Sequence, residues 1–161
     1  MISVGDSLPD AKLIRMTDSG PEVVRLSDKL TGRKVVLVAV PAAFSGLCDQ
    51  VHLPSFIRTK PQFDAKGVDE IICLAVNDPF VMKAWGESTG ATEAGITLLA
   101  DADGSFTREI GMNFDAPVVG LYGRSVRYAM VVEDGVVRAL NTESEHGICD
   151  RTAGETLLEE I

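Results

Sequence analysis

One thiol in this chain stands where a sulfur anion would be favoured. Cys48 closes the stretch Pro41-Ala-Ala-Phe-Ser-Gly-Leu-Cys48, which follows the apolar run from Lys34 to Val40. That run reads as a buried strand. Beyond Cys48, the apolar residues Val51, Phe56 and Ile57 have helical spacing. The cysteine is therefore delivered to the first turn of a helix straight off a central strand. Free backbone N–H groups and the positive end of the helix dipole favour an anion there. The thiolate is the nucleophilic form of cysteine.

The elements that must position this sulfur follow from the pattern around it. Lys12–Met16 and Glu22–Leu26 read as short strands of a hairpin broken by Thr17 to Pro21. The helix that begins near Ser45 continues past Lys60 and ends at Gly67. Asp69–Val76 and Ile96–Ala100 are further apolar strands, separated by a helix that opens at Asn77 and Asp78 with Pro79 in its first turn. A short helix spans Ser105–Ile110. Ser125–Val132 and Val136–Leu140 form a hairpin across an Asp134-Gly135 turn. Thr152 and Glu155 have the spacing of a capping box for a last helix. Strands alternating with helices, then a hairpin and a helix, give an α/β fold with a mixed central sheet between helical layers. The order fits a thioredoxin-like fold with an N-terminal β-hairpin extension. The 161 residues fit one domain, 1–161.

Bulk composition narrows the function. The net charge of −9 argues against nucleic acid or an anionic membrane as partner. No stretch reaches transmembrane length. The N-terminus has neither the basic start nor the apolar centre of a signal peptide. Three cysteines, at 48, 73 and 149, are an odd set and no disulfide framework. A cytoplasmic location is the expectation. With only His52 and His146 as imidazoles and no cysteine pair at zinc spacing, neither metal nor cofactor is expected.

The motif from Pro41 to Cys48 resembles the peroxidatic motif of the peroxiredoxins, Pro-x-x-x-Thr/Ser-x-x-Cys. The longer match, through Val40 to Phe44, His52 to Pro54, Val76 to Trp85 and Arg127 to Val131, is similar to the type II, peroxiredoxin-five-like subfamily. The resemblance implies a thiol peroxidase that reduces hydrogen peroxide and small organic hydroperoxides through a cysteine sulfenic acid. It implies Cys48 as nucleophile, Pro41 as shield of the thiolate and Ser45 as the hydroxyl where Thr is commoner. Arg127 becomes the distant arginine of the pocket, with Arg124 as second choice. With Ser45 as the N-cap, Cys48 would be the third helical residue, and the serine hydroxyl could bond both thiolate and peroxide. Glutathione with glutaredoxin, or thioredoxin, would be the reductant, and a homodimer the assembly, with Phe44 and Phe80 at its contact. Cys149 and Cys73 are the candidate resolving thiols, beside a one-cysteine cycle with an external thiol.

Blander readings stand beside these. Cys73 lies inside a strand and reads as a small core residue. His52 follows Cys48 by one helical turn and reads as packing or hydrogen-bonding support. Met82 and Trp85 read as core or interface. Phe44, Leu47 and Phe114 are expected at the apolar edge of a pocket. Two rival functions remain: a thiol–disulfide oxidoreductase, which lacks the expected Cys-x-x-Cys, and a redox-regulated signalling or chaperone-like binding module with little turnover.

Overall fold

The computed structural model describes all 161 residues. A seven-stranded mixed sheet runs in the order β2-β1-β5-β4-β3-β8-β9. Its strands are β1 Lys12–Thr17, β2 Gly20–Arg25, β3 Lys34–Ala39, β4 Glu70–Ala75, β5 Thr97–Ala100, β8 Tyr128–Glu133 and β9 Val136–Thr142. β3, β4 and β5 pair in parallel. β8 lies antiparallel to β3 and β9, and β1 antiparallel to β2 and β5. The N-terminal hairpin thus extends one edge of the sheet, as expected from Thr17–Pro21. The second expected hairpin also forms, with φ of 49° at Asp134 and 78° at Gly135, the left-handed pair that a tight two-residue turn requires.

β3 owes its central place to being apolar on both faces. Val36, Val38 and Val40 point into one core with Phe56, Phe63 and Trp85. Val35, Leu37 and Ala39 point into the other with Leu26, Phe106 and Met130. The first core is covered by α2 Leu53–Ala65, α3 Pro79–Thr89 and α5 Gly154–Leu158. The second is covered by α1 Leu26–Leu30 and α4 Ser105–Glu109. The Asp78 carboxylate caps α3 by accepting from the Val81 N–H at 2.9 Å.

Three expectations are corrected. The helix after Cys48 does not begin as a regular α-helix. Cys48–His52 is a π-helical turn, closed by the Leu53 N–H on the Cys48 carbonyl, and α2 follows it. Thr152 and Glu155 make no capping box, because α5 starts after Ala153 without a side-chain cap. Glu155 instead bonds Arg58 on α2 at 2.7 Å. Ser125 does not open β8. It ends β7 (Leu121–Ser125), which pairs with β6 (Asn113–Ala116) in a separate two-stranded sheet. These short strands lack the buried alternation that marks a strand in sequence.

Candidate active site

The C-terminal end of β3 releases the chain at Pro41 into a loop that must reverse tightly. Phe44 takes φ of 64°, a left-handed conformation uncommon for a residue with a Cβ. Asn77 Oδ1, at the start of the α3 segment, accepts from the Ala43 N–H at 3.0 Å and ties the loop to the neighbouring strand end. The Ser45 carbonyl then accepts from the Asp49 N–H at 3.0 Å, so the helical backbone begins at Ser45 and Cys48 lies in its first turn. The Ser45 hydroxyl does not bond the sulfur. It donates to the Ala42 carbonyl at 2.8 Å, which leaves its lone pairs free to accept.

Cys48 is 2 % exposed. Arg127, between β7 and β8, donates from Nη2 to Cys48 Sγ at 3.3 Å. Its Nη1 lies 2.9 Å from Nδ1 of His52. Arg127 is itself buried, and no carboxylate lies within salt-bridge distance of it. A buried guanidinium without a carboxylate is costly. The Cys48 sulfur is the group this guanidinium faces in place of a carboxylate. Arg124 sits on β7 opposite Phe114 and makes no bond to the cysteine.

His52 comes into this cluster through the π-helical turn. Its Nε2 meets the Thr152 carbonyl at 3.0 Å, and its ring packs edge-on against Phe56. Burial, and then the charge of Arg127, push its pKa down to about 3 against the weaker pull of the Thr152 carbonyl. Asp49, next to the cysteine, is turned away: its carboxylate accepts from Trp85 Nε1 at 2.9 Å. Trp85 and Met82 are core residues.

The other thiols are differently placed. Cys73 lies on β4, fully buried in the same core layer as Cys48, and burial pushes its pKa strongly up. Cys149 is half-buried, and its pKa is also raised by burial. All three are free thiols.

Pro41, Ser45, Cys48 and Arg127 together line an open cavity of about 710 Å³. Its walls are mainly apolar, with Leu47, Phe114, Val119, Leu121 and Ile148 among them. Leu47 and Phe114 are where the sequence placed them, but Phe44 is not part of the lining and stands half-exposed outside it. His146 stacks on Phe114 with ring centroids 4.3 Å apart and closes one side. This wall was not legible in the sequence, since it joins β6 to a loop some thirty residues on. No group of three or more His, Cys, Asp or Glu residues has a metal-binding arrangement.

The Redoxin family model matches residues 3–158. Peroxiredoxin-2E-2, chloroplastic, of Oryza sativa subsp. japonica is 44 % identical, over 99 % of this chain and 72 % of the relative. The chain belongs to the type II peroxiredoxins. Peroxiredoxin-2F, mitochondrial, of Arabidopsis thaliana is 40 % identical, over 84 % of this chain and 67 % of its own length. Reduced Prx3 of Vibrio vulnificus in complex with H2O2 superposes with a TM-score of 0.92 at 43 % identity, covering 99 % of each chain. This peroxiredoxin is thus a thiol peroxidase with the thioredoxin-like fold of its family. The expected cytoplasmic location is corrected by the same comparison: the relatives whose names give a compartment are chloroplastic or mitochondrial.

Proposed function

We propose that Cys48 is the peroxidatic nucleophile and that Arg127, Ser45 and Pro41 serve it. The observation that supports this most is the Arg127 guanidinium, buried without a carboxylate and 3.3 Å from Cys48 Sγ at the floor of an open cavity. The sulfur anion attacks one peroxide oxygen and forms an S–O bond. The O–O bond breaks, and its electron pair leaves on the distal oxygen, which takes a proton to become water or an alcohol. Cys48 is left as sulfenic acid. Arg127 stabilises charge as it moves from sulfur to the departing oxygen. Ser45, whose hydrogen is held by Ala42, accepts from the peroxide O–H and orients it. Pro41 presents no N–H and walls off water.

The apolar walls fit small organic hydroperoxides as well as hydrogen peroxide. Resolution is by an external thiol, from glutathione with glutaredoxin or from thioredoxin. Cys73 is sealed in the core, and burial disfavours ionisation of both Cys73 and Cys149. An external thiol forms a mixed disulfide with loss of water, and a second thiol then releases Cys48 reduced. The functional unit is a homodimer joined through the rim that carries Phe44 and Phe80.

Stopped-flow peroxide titration tests the nucleophile: stoichiometric, rapid consumption by the wild type and none by Cys48→Ser. Mass spectrometry after one equivalent of peroxide tests the resolver. Gain of one oxygen supports the external thiol. Loss of two hydrogens, mapped to Cys48–Cys149 or Cys48–Cys73, replaces it with an internal one. An oligomer change on oxidation without turnover would favour the binding module instead.

A further inference from the structure

Hydrogen bonding does not end at Arg127. A guanidinium only donates, and the Thr152 carbonyl only accepts. His52 lies between them, 2.9 Å from the first and 3.0 Å from the second. Both bonds exist together only if the imidazole is neutral, with its proton on Nε2. Thr152, which fixes that ring, belongs to no helix or strand. Two side chains hold its turn: the Thr156 hydroxyl donates to the Asp150 carbonyl at 2.9 Å, and Glu143 takes the backbone N–H groups. Glu143 Oε1 accepts from the backbone N–H groups of Asp150 at 2.8 Å, Arg151 at 2.6 Å and Thr152 at 3.2 Å. Its Oε2 lies 3.2 Å from the first two. On the far side of Thr152, the Gly154 N–H donates to Ser55 Oγ at 2.9 Å.

We propose that Glu143 is a positioning residue of the peroxidatic site. It holds the 150–152 turn so that the Thr152 carbonyl fixes His52, and His52 holds the Arg127 guanidinium against Cys48. The proposal rests on the roles given above to Cys48 and Arg127. Loss of Glu143 frees the three N–H groups, while Thr156 still bonds the Asp150 carbonyl and Gly154 still bonds Ser55, so its effect is partial. Glu143 is not in the folded core, which lets it be changed without opening a cavity.

The test compares wild type, Glu143→Ala, Glu143→Gln, His52→Phe and the double variant Glu143→Ala/His52→Phe. Three readouts are taken: the second-order rate with hydrogen peroxide, the rate of Cys48 alkylation by iodoacetamide, and the imidazole 15N spectrum. In the wild type, His52 shows a protonated Nε2 and a bare Nδ1 at neutral pH. Glu143→Ala lowers both rates roughly three- to tenfold and broadens the Nε2–H signal, while Glu143→Gln, which can still accept, restores most of the loss. In the His52→Phe background, Glu143→Ala has no further effect, because its route to Arg127 is already cut. Glu143→Ala rates equal to the wild type, effects that multiply in the double variant, or a proton on Nδ1 would each overturn the proposal. If His52→Phe does not fold, the 15N spectrum of Glu143→Ala decides alone: an unchanged Nε2–H signal overturns it. A wild type that consumes no peroxide, or a Cys48→Ser variant that does, would overturn the reading beneath the proposal and the proposal with it.

Discussion

At the scale of single residues, the site separates charge from geometry. Arg127→Gln removes the only cation at the sulfur, and the second-order rate with peroxide is expected to fall about 10²–10³-fold. Arg127→Lys keeps the charge but loses the planar fork that reaches Cys48 and His52 together. Its rate should lie between the two, measured by competition for peroxide. Ser45→Thr keeps the acceptor and stiffens χ1. The rate should hold or rise, and a tenfold fall would refute the orienting role of the hydroxyl. His52 carries a stability consequence. Its folded pKa, about 3, lies below the unfolded value of 6.5. Its contribution to stability is therefore complete above pH 6.5 and is lost as the pH falls from there toward 3, because only the unfolded chain takes up the proton. The slope approaches ~1.4 kcal/mol per pH unit inside that window. Urea midpoints of the wild type should fall between pH 6.5 and 4, and His52→Gln should flatten that fall. An equal slope in both would show that His52 is not the group responsible.

At the scale of elements, close backbone approach matters more than hydrophobic pattern. α5 docks on α2 where a Cβ at position 154 would come within 2.7 Å of the Ser55 carbonyl oxygen and 2.5 Å of Thr59 Oγ1. Gly154→Ala must push the two helices apart, with an expected loss of ~2 kcal/mol. For a chain of this size that lowers Tm by about 4–8 °C, checked by calorimetry. An unchanged Tm would mean that the contact is soft. The same distinction explains what the sequence disclosed. β3 and β4 were legible because they are apolar after their first residue, and α3 because Asp78 and Pro79 announce its start. The grouping of Pro41, Ser45, Cys48 and Arg127 around one cavity was legible as residue types in a known spacing. The π-helical turn was not, since one inserted residue leaves the apolar spacing almost unchanged. Nor was the hold of Glu143 on three backbone N–H groups, because a carboxylate that meets peptide groups has no partner side chain to reveal it.

At the scale of the whole molecule, two opposing effects act on self-association. Val118 and Val119 are 95 % and 67 % exposed, and Phe44 and Phe80 are 50 % and 70 % exposed. The Ala43–Asn77 bond ties the loop that carries Phe44 to the segment that opens α3, the helix that carries Phe80. Exposed apolar groups of this size favour association. A net charge of −9 on each copy opposes it. Both effects act in one direction with salt. Raising ionic strength screens the repulsion and leaves the apolar contact intact. The proposed homodimer should therefore tighten from low to moderate salt, opposite to an assembly held by ion pairs. Sedimentation velocity across that range should show the shift. Phe80→Glu adds a charge to the contact and should give a monomer at every salt concentration, with secondary structure unchanged by circular dichroism. A wild type that sediments as a monomer throughout, or a Phe80→Glu variant that still dimerises, would place the association elsewhere on the surface.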